Sequence, residues 1–259
     1  MKETVLITGA SSGIGLELAR CFAADGCRLI LVARNTAALE ALAKELRQAH
    51  NIEARVLFAD LSRPETPGQI FEELSAQKIT VDVLVNNAGF GANGSFAEIS
   101  LPRQLEMLQV NITALTELTG LFLPGMIQRR RGGILNVGSV AGFQPGPGMM
   151  VYYATKAFVL SFTEGLAEEL QGTGLSVSVL CPGPTESNFG NVARGHKVRH
   201  LKTSKMTSAA VAAYGHRAFR NKKITAVPGL QNKVFVQLNR IFPRKLPRKI
   251  VKFYNRTTE

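Results

Sequence analysis

Short apolar runs alternate with stretches of helical periodicity along most of the chain. The apolar runs predict β-strands at residues 4–8, 27–34, 53–59, 81–85, 132–139, 175–181 and 224–229. Apolar positions with a helical period predict helices over residues 16–26, 36–49, 65–77, 101–130, 152–170 and 207–219. This alternation is typical of an α/β fold, in which a parallel sheet carries helices on both faces.

The length and composition of the chain fit a single domain over residues 1–259. With 259 residues and 45% hydrophobic content, the chain can bury one sizeable core. An apolar run begins near residue 3, which leaves no room for a signal peptide ahead of the first strand. No stretch of about eighteen apolar residues predicts a membrane-spanning helix. We therefore expect a soluble, cytoplasmic protein.

Cysteine and histidine show no metal-binding pattern. Cys21, Cys27 and Cys181 lack both metal-ligand spacing and an even number, so we expect reduced thiols in or near the core. The four histidines form no HExxH motif and no cluster with cysteine. We expect no metal site.

The net charge of +12 is unevenly distributed. Residues 1–189 hold 14 Lys and Arg against 18 Asp and Glu, whereas residues 190–259 hold 17 against 1. Such a block indicates an anionic partner, namely a phosphate-bearing substrate, lipid headgroups or nucleic acid, or else a solvated basic surface. Nucleic acid is not expected, because the segment lacks a known binding motif.

A glycine-rich turn follows the first strand. Gly9, Gly13 and Gly15 lie between that strand and an amphipathic helix. Glycine allows the backbone to approach a pyrophosphate closely while the amino end of the helix faces the negative charge. The context predicts nucleotide binding, with an ordinary tight turn as the alternative.

Arg34 and Asp60 follow the second and third strands. An acidic residue after the second strand holds the ribose 2′-hydroxyl of NAD, whereas a nearby arginine accepts the 2′-phosphate of NADP. The sequence here is Ala33, Arg34 and Asn35, which favours NADP. Asp60 either hydrogen-bonds the adenine or caps the following helix.

The stretch from residue 136 to 156 holds the candidate chemistry. If Tyr152 begins a helix, Lys156 lies on the same face one turn later. A free tyrosine has a pKa of about 10, and a fixed positive charge lowers that pKa. We therefore expect Lys156 to make the Tyr152 phenol a usable general acid or base, with Ser139 nearby.

The last third of the chain differs in character. Residues 185–206 are polar and glycine-bearing, and a connection this long is usually functional, so we expect a substrate loop there. Residues 229–259 form a basic, amphipathic extension. The extension can lie on an anionic membrane surface, or it can pack over the substrate pocket or a partner subunit.

Several motifs in this order resemble those of the classical short-chain dehydrogenases/reductases. The motifs are Thr8-Gly9-x3-Gly13-Ile14-Gly15, Asn86-Asn87-Ala88-Gly89, Asn111, Ser139, Tyr152-x3-Lys156 and Pro182-Gly183. The resemblance covers about residues 3–190. It implies a single-domain, Rossmann-type, doubly wound parallel sheet of about seven strands.

The resemblance also implies a role for each matching position. Tyr152 would be the catalytic acid/base, Ser139 would hydrogen-bond the substrate carbonyl, and Asn111 would hold a water that relays protons to Lys156. Lys156 would also bind the nicotinamide ribose. The remaining cofactor contacts would come from Gly9, Ser11, Ser12, Gly13, Ile14, Gly15, Arg34, Asp60, Leu61, Asn87, Ala88, Gly89, Pro182, Gly183 and Ser187.

The activity implied is NADP(H)-dependent hydride transfer between the nicotinamide and a carbonyl or secondary alcohol. The tail resembles that of steroid and 3-oxoacyl reductases, which implies a bulky, apolar small-molecule substrate. The alternative is a catalytically silent protein that senses NADP(H) or binds a membrane surface. The family implies a homodimer or homotetramer, although the tail could block that contact.

Overall fold

The structure is a computed structural model that describes residues 2–186, 205–243 and 245–255. The strands, in chain order from β1 to β9, are Thr4–Thr8, Arg28–Ala33, Ala54–Phe58, Val83–Asn86, Gly133–Val137, Ser176–Leu180, Thr185–Glu186, Met206–Thr207 and Thr225–Ala226. The α-helices, in chain order from α1 to α9, are Gly13–Ala24, Thr36–His50, Thr66–Ala76, Leu101–Leu108, Ala114–Arg129, Met150–Glu169, Ser208–Arg220, Leu230–Ile241 and Lys245–Tyr254.

Seven strands form one parallel sheet in the order β3-β2-β1-β4-β5-β6-β9. The α/β class and the doubly wound parallel sheet predicted from the sequence are confirmed. The strand order reverses between β1 and β4, since Val5 pairs with Leu29 on one side and with Val83 on the other. Ligands of such sheets bind outside the carboxyl ends of the strands at this reversal.

Alternate side chains of β1 belong to cores on opposite faces of the sheet. Val5 and Ile7 pack with residues of α1, α2 and α7, whereas Leu6 packs with residues of α3 and α5. Successive residues of a strand point to opposite faces, so one buried strand supplies both cores. The two helical layers position the loops that follow the strands.

The helix predicted over residues 101–130 is continuous but not uniform. A π-helical turn at Gln109–Thr113 separates α4 from α5. By length and a mean hydropathy of 1.3 alone, Leu101–Arg129 could cross a membrane, which the sequence prediction did not anticipate. A core helix passes the same test, and Leu118 and Met126 are buried in the core beside the sheet.

Helices α8 and α9 pack one face each against the body of the protein. Val236 and Val251 are buried, and the Asn239 side chain donates to Gln144 Oε1 at 2.5 Å. Asn255 donates to the Pro147 carbonyl at 2.9 Å. The described part of the extension therefore covers the segment that precedes α6.

Candidate active site

A cavity of about 390 Å³ opens at the carboxyl ends of the central strands. It gathers most of the residues that the sequence singled out for the cofactor. Those lining it are Gly9, Ser11, Ser12, Gly13, Ile14, Arg34, Asp60, Leu61, Asn87, Ala88, Gly89, Tyr152, Lys156 and Pro182. Residues far apart in sequence therefore form one site.

The glycine turn presents backbone N–H groups to this cavity. Gly9 and Gly13 have φ of 65° and 56°, a conformation that favours glycine. Ser12 precedes α1, and its side chain makes no capping bond to the first-turn N–H groups of that helix. Such donors suit a phosphate group, and the turn therefore fits a dinucleotide pyrophosphate.

Gly15 has a different position from the one the sequence predicted. It does not line the cavity, because it lies behind the turn. A Cβ added there would overlap Asn87 Nδ2 and the Gly9 carbonyl oxygen. Close packing therefore requires glycine at this position.

The turn after β4 is bound to the turn after β1. Thr8 Oγ1 accepts from the backbone N–H groups of Asn87 and Ala88, both at 3.0 Å. Asn87 Nδ2 donates to the Thr8 carbonyl at 2.9 Å and to the Gly9 carbonyl at 3.1 Å. These bonds hold two walls of the cavity in a fixed relation.

Arg34 and Asp60 lie at one end of the cavity. The Arg34 side chain is 64% exposed, and its Nη1 is 4.0 Å from Asp60 Oδ1. The Asp60 carboxylate accepts from Ser62 N at 3.1 Å and from Ser62 Oγ at 2.8 Å. Burial raises the pKa of Asp60, but the Ser62 hydrogen bonds and the charge of Arg34 outweigh it and lower that pKa.

The Asp60 carboxylate does not cap the next helix, which was the alternative role predicted for this residue. The residue at the cap position of α3 is Glu65. Asp60 contributes its backbone carbonyl, which accepts from Thr66 Oγ1 at 2.9 Å. Its side chain stays at the cavity wall.

Tyr152 and Lys156 line the other end of the cavity, and Ser139 lies beside Tyr152 without lining the cavity itself. The Tyr152 phenol hydrogen-bonds Ser139, whose Oγ also accepts from Ala141 N at 3.1 Å. Lys156 Nζ donates to the Val137 carbonyl at 2.7 Å and lies 5.9 Å from the centre of the Tyr152 ring. The predicted spacing on one helix face therefore brings the three side chains together.

The ionisation of this group differs from the sequence prediction. Burial raises the pKa of Tyr152 to about 12, although the hydrogen bond with Ser139 acts in the opposite direction. Burial also lowers the pKa of Lys156 to about 8. The expected lowering of the phenol pKa by Lys156 is not found, because desolvation disfavours both charged forms.

Asn111 is buried in the π-helical turn behind the cavity. Its Oδ1 accepts from Phe90 N at 3.1 Å, and its Nδ2 donates to the Phe90 carbonyl at 2.9 Å and to Thr155 Oγ1 at 3.0 Å. A Cβ at Gly89 would stand 3.0 Å from Asn111 Oδ1 and 3.5 Å from Lys156 Nζ. Asn111 is thus close to Lys156, with its amide bound to protein groups.

One predicted contact does not line the cavity, and another lies outside the described residues. Gly183 does not line the cavity, and a Cβ there would overlap the side chain of Asn232 on α8. Ser187, with most of the predicted substrate loop at 185–206, lies outside the described residues.

The sequence prediction missed several residues that line the cavity. They are Val32, Ala33, Asn35, Ala59, Phe90, Glu106, Val110, Val137, Gly138 and Thr185. Most of them are sequence neighbours of predicted residues near the carboxyl ends of strands. Position at a strand end could therefore have identified them from the sequence. Glu106 and Val110 come from α4 and the π-helical turn, and no local pattern marks them.

Among the described residues, no group of three His, Cys, Asp or Glu side chains could hold a metal ion.

Known proteins share both the sequence and the fold. Ketoacyl reductase HetN from Nostoc sp. is 31% identical over 92% of this chain and 82% of its own length. Sulfoacetaldehyde reductase 2 from Chromohalobacter salexigens is 41% identical over 75% of this chain and 77% of its own length. A short-chain dehydrogenase from Sphingobium yanoikuyae in complex with NADPH is 34% identical, with a TM-score of 0.83 over 92% of this chain and 93% of that one.

The sequence model of the short chain dehydrogenases matches residues 3–197. That range includes the glycine turn, the turn after β4 and the group of Ser139, Tyr152 and Lys156. The chain belongs to the short-chain dehydrogenase/reductase family.

Proposed function

We propose that this oxidoreductase is an NADP(H)-dependent reductase of carbonyl compounds, with Tyr152 as its catalytic acid/base. The observation that carries the proposal is that one cavity joins the glycine turn to Tyr152 and Lys156, and that the Tyr152 phenol hydrogen-bonds Ser139 beside it. The family acts on small-molecule carbonyls and alcohols. A protein that only sensed the cofactor would have no need of this buried group of three side chains.

The chain's own groups supply proton transfer and charge stabilisation. With a pKa of about 12, Tyr152 is protonated at neutral pH and can donate its proton to a developing alkoxide. Ser139 Oγ is held by Ala141 N and would hydrogen-bond the same oxygen. The bound nicotinamide would supply or accept the hydride. Lys156, with Asn111 nearby, would contact the ribose and restore the proton on Tyr152.

The preference for NADP(H) is supported by Arg34. The first residues after β2 offer a guanidinium and no carboxylate, which suits a 2′-phosphate. The nearest acidic group, Asp60, is engaged by Ser62. The structurally similar Sphingobium protein was solved with NADPH. Ser12, where many NADP-dependent members have a basic residue, leaves Arg34 as the main determinant.

For the substrate we propose a bulky 3-oxoacyl or steroid-like ketone. A relative that covers 92% of this chain is a ketoacyl reductase. We propose that the predicted substrate loop at 185–206 and the extension at 229–259, within one domain, contribute to substrate binding. Asn232 on α8 lies against Gly183, one of the predicted cofactor contacts.

The test is NADPH oxidation by the purified chain with ketosteroids, 3-oxoacyl thioesters, bulky ketones and sulfoacetaldehyde. We expect the highest kcat/KM with a 3-oxoacyl thioester or ketosteroid, and no turnover by Tyr152→Phe. NADPH binding, followed by fluorescence, should persist in that variant. Turnover by Tyr152→Phe would refute the catalytic assignment, and preference for sulfoacetaldehyde would refute the substrate class.

We also propose that the extension contacts an anionic membrane surface. Seven of the fourteen exposed large hydrophobic side chains among the described residues lie there, namely Leu230, Val234, Leu238, Ile241, Phe242, Ile250 and Phe253. The exposed basic residues Lys245, Arg248, Lys249 and Lys252 flank them. Exposed apolar side chains beside lysine and arginine are typical of helices that lie in the lipid headgroup region.

A second copy of the chain fits this face poorly. Residues 187–258 contain no Asp or Glu, so two such faces would bring like charges together. Sedimentation with vesicles should show binding to phosphatidylglycerol mixtures and not to phosphatidylcholine alone. The double change Ile250→Ser and Phe253→Ser should abolish it, whereas Phe58→Ser, at an aromatic that is more exposed than Phe253, should not. Equal binding to both lipids, or dimerisation that the double change abolishes, would contradict the proposal.

A further inference from the structure

A second cavity, of about 880 Å³, lies at the amino ends of β1, β2 and β3, at the edge of the sheet opposite the proposed active site. We call it the basic cavity. Its charged lining consists of seven cationic residues and two acidic ones, Lys2, Arg28, Arg47, Arg55, Lys78, Arg129, Arg131, Glu53 and Asp82. The lining therefore carries a large excess of positive charge.

This excess does not follow from the composition of the surrounding chain. Residues 1–189 carry more acidic than basic side chains, 18 against 14. Half of those 14 basic residues line this one cavity, but only two of the 18 acidic residues do. The fold has thus concentrated positive charge from distant parts of an otherwise acidic segment.

Four of the cations have structural partners. Arg47 donates to the Ala54 carbonyl at 2.9 Å, and Arg129 donates to the Val81 carbonyl at 3.0 Å. Arg55 pairs with Glu73 at 2.9 Å, and Arg131 lies 3.9 Å from Asp82. Arg47, near the end of α2, and Arg129, at the end of α5, thus hydrogen-bond backbone carbonyls near the start of β3 and β4.

Lys2 and Lys78 are not explained in this way, and Arg28 is explained only in part, because its Nη2 donates to the Lys2 carbonyl at 3.4 Å. Lys2 and Lys78 are exposed, and no described acceptor pairs with either ammonium group. Arg28 Nε is buried and has no hydrogen-bond partner among the described residues. A buried donor without a partner is unfavourable unless a ligand or water satisfies it. Lys2, Arg28 and Lys78 thus offer unused donors to the cavity.

We propose that the basic cavity binds an organic polyphosphate of nucleotide size. Its volume falls in the range of about 300–1,000 Å³ that small-molecule sites occupy. Guanidinium and ammonium groups on several sides suit a ligand with more than one phosphate. Leu29 and Ile30 of β2, with Ile52 ahead of β3, form an apolar floor that suits an organic portion.

The basic cavity and the proposed active site are separate. Thr4 lines the first and Gly9 the second, at opposite ends of β1. At about 3.3 Å per residue, the two ligands would lie roughly 15 Å apart or more. A polyphosphate should therefore bind while the proposed active site holds NADPH.

The test is calorimetric titration of the NADPH-saturated chain with ATP and, separately, with coenzyme A at about 150 mM salt. Lys2→Glu with Lys78→Glu should weaken binding at least about tenfold, because both side chains are exposed and the change reverses two charges. Glu53→Gln should strengthen binding. Adenosine, which lacks phosphate, should not bind.

Two control variants separate this site from other cationic surfaces. Lys44→Glu changes an exposed lysine outside the cavity, and Lys249→Glu with Lys252→Glu changes the basic extension. Both should bind ATP like the parent chain. Displacement of the ligand by NADPH, unchanged binding by the Lys2 and Lys78 variant, or lack of binding by both ligands would each overturn the proposal.

Discussion

Lys156 lies one helical turn after Tyr152, and its ammonium group donates to the Val137 carbonyl at 2.7 Å. The phenol hydrogen-bonds Ser139. Lys156 is therefore anchored to the end of β5 with one of its three protons. Its charge lies near the cofactor cavity, and Ser139 is the direct partner of the proposed acid/base.

Replacing Ser139 by Ala should lower kcat by roughly a hundredfold. The change removes the hydrogen bond that counteracts the burial of Tyr152, and it removes a donor to the developing alkoxide. Ser139→Thr keeps a hydroxyl and should retain much of the activity. Steady-state NADPH oxidation measures both, and equal loss in the two variants would point to misfolding instead of a lost hydroxyl.

NADPH should bind more weakly as the pH rises through about 8. The pKa of Lys156 is lowered to about 8 by burial, so its charge is present below that pH and lost above it. An anionic cofactor gains less from a neutral amine. Fluorescence titrations from pH 6.5 to 9.5 should show this loss in the parent chain. Lys156→Met should bind weakly throughout, without the pH step, and a step that survives in Lys156→Met would contradict the assignment.

Arg34→Ala should reduce kcat/KM for NADPH and leave that for NADH nearly unchanged. A charge-assisted contact with a 2′-phosphate is worth about 1.5–3 kcal/mol, or roughly ten- to a hundredfold. Arg63 is a matched control, because its charge also acts on Asp60 but it does not line the cavity. If Arg63→Ala changed the cofactor ratio equally, the effect would be a general one of local charge.

Gly15→Ala should destabilise the fold and impair cofactor binding together. A Cβ there would overlap Asn87 Nδ2 and the Gly9 carbonyl, which join two walls of the cavity. Gly165 lies inside α6 with open space around its Cβ position. Gly165→Ala should therefore raise the free energy of unfolding by about 1 kcal/mol. Denaturant unfolding compares the two, and tolerance of Gly15→Ala would argue against the packing described here.

Tyr153→Phe should retain turnover but lower stability by about 1 kcal/mol. Its phenol hydrogen-bonds Asn255, so the change removes one bond to the extension. Asn255→Ala should cost at least as much, because it also removes the bond to the Pro147 carbonyl. A double-mutant cycle on denaturant unfolding should show coupling between the two positions. Purely additive effects would place them in separate interactions.

The sheet and the helices followed from the sequence because their patterns are local. β1 coincides with the predicted residues 4–8, and α2 ends at His50, one residue past its predicted end. The π-helical turn at Asn111 was not predictable in this way. The helical pattern of apolar residues continues through this turn without a break. Its asparagine hydrogen-bonds Phe90 and Thr155, which come from other parts of the chain.

The sequence motifs predicted which residues lie together at the candidate site, but they did not predict the pKa values of those residues. Helical spacing brought Lys156 beside Tyr152, but the raised pKa of the phenol depends on burial by the whole fold. The basic cavity was missed for a similar reason. Lys2, Arg28 and Lys78 belong to different segments, and only the strand order brings them together.

The contact of Asn255 with Pro147 spans 108 residues of sequence. A ribosome that has already made Tyr152, Tyr153 and Lys156 must still add the remaining chain before this contact can form. At about 5–20 residues per second, that takes on the order of ten seconds. Throughout that interval the nascent chain contains α6, the proposed catalytic helix, but lacks Asn255, which hydrogen-bonds the segment just before this helix.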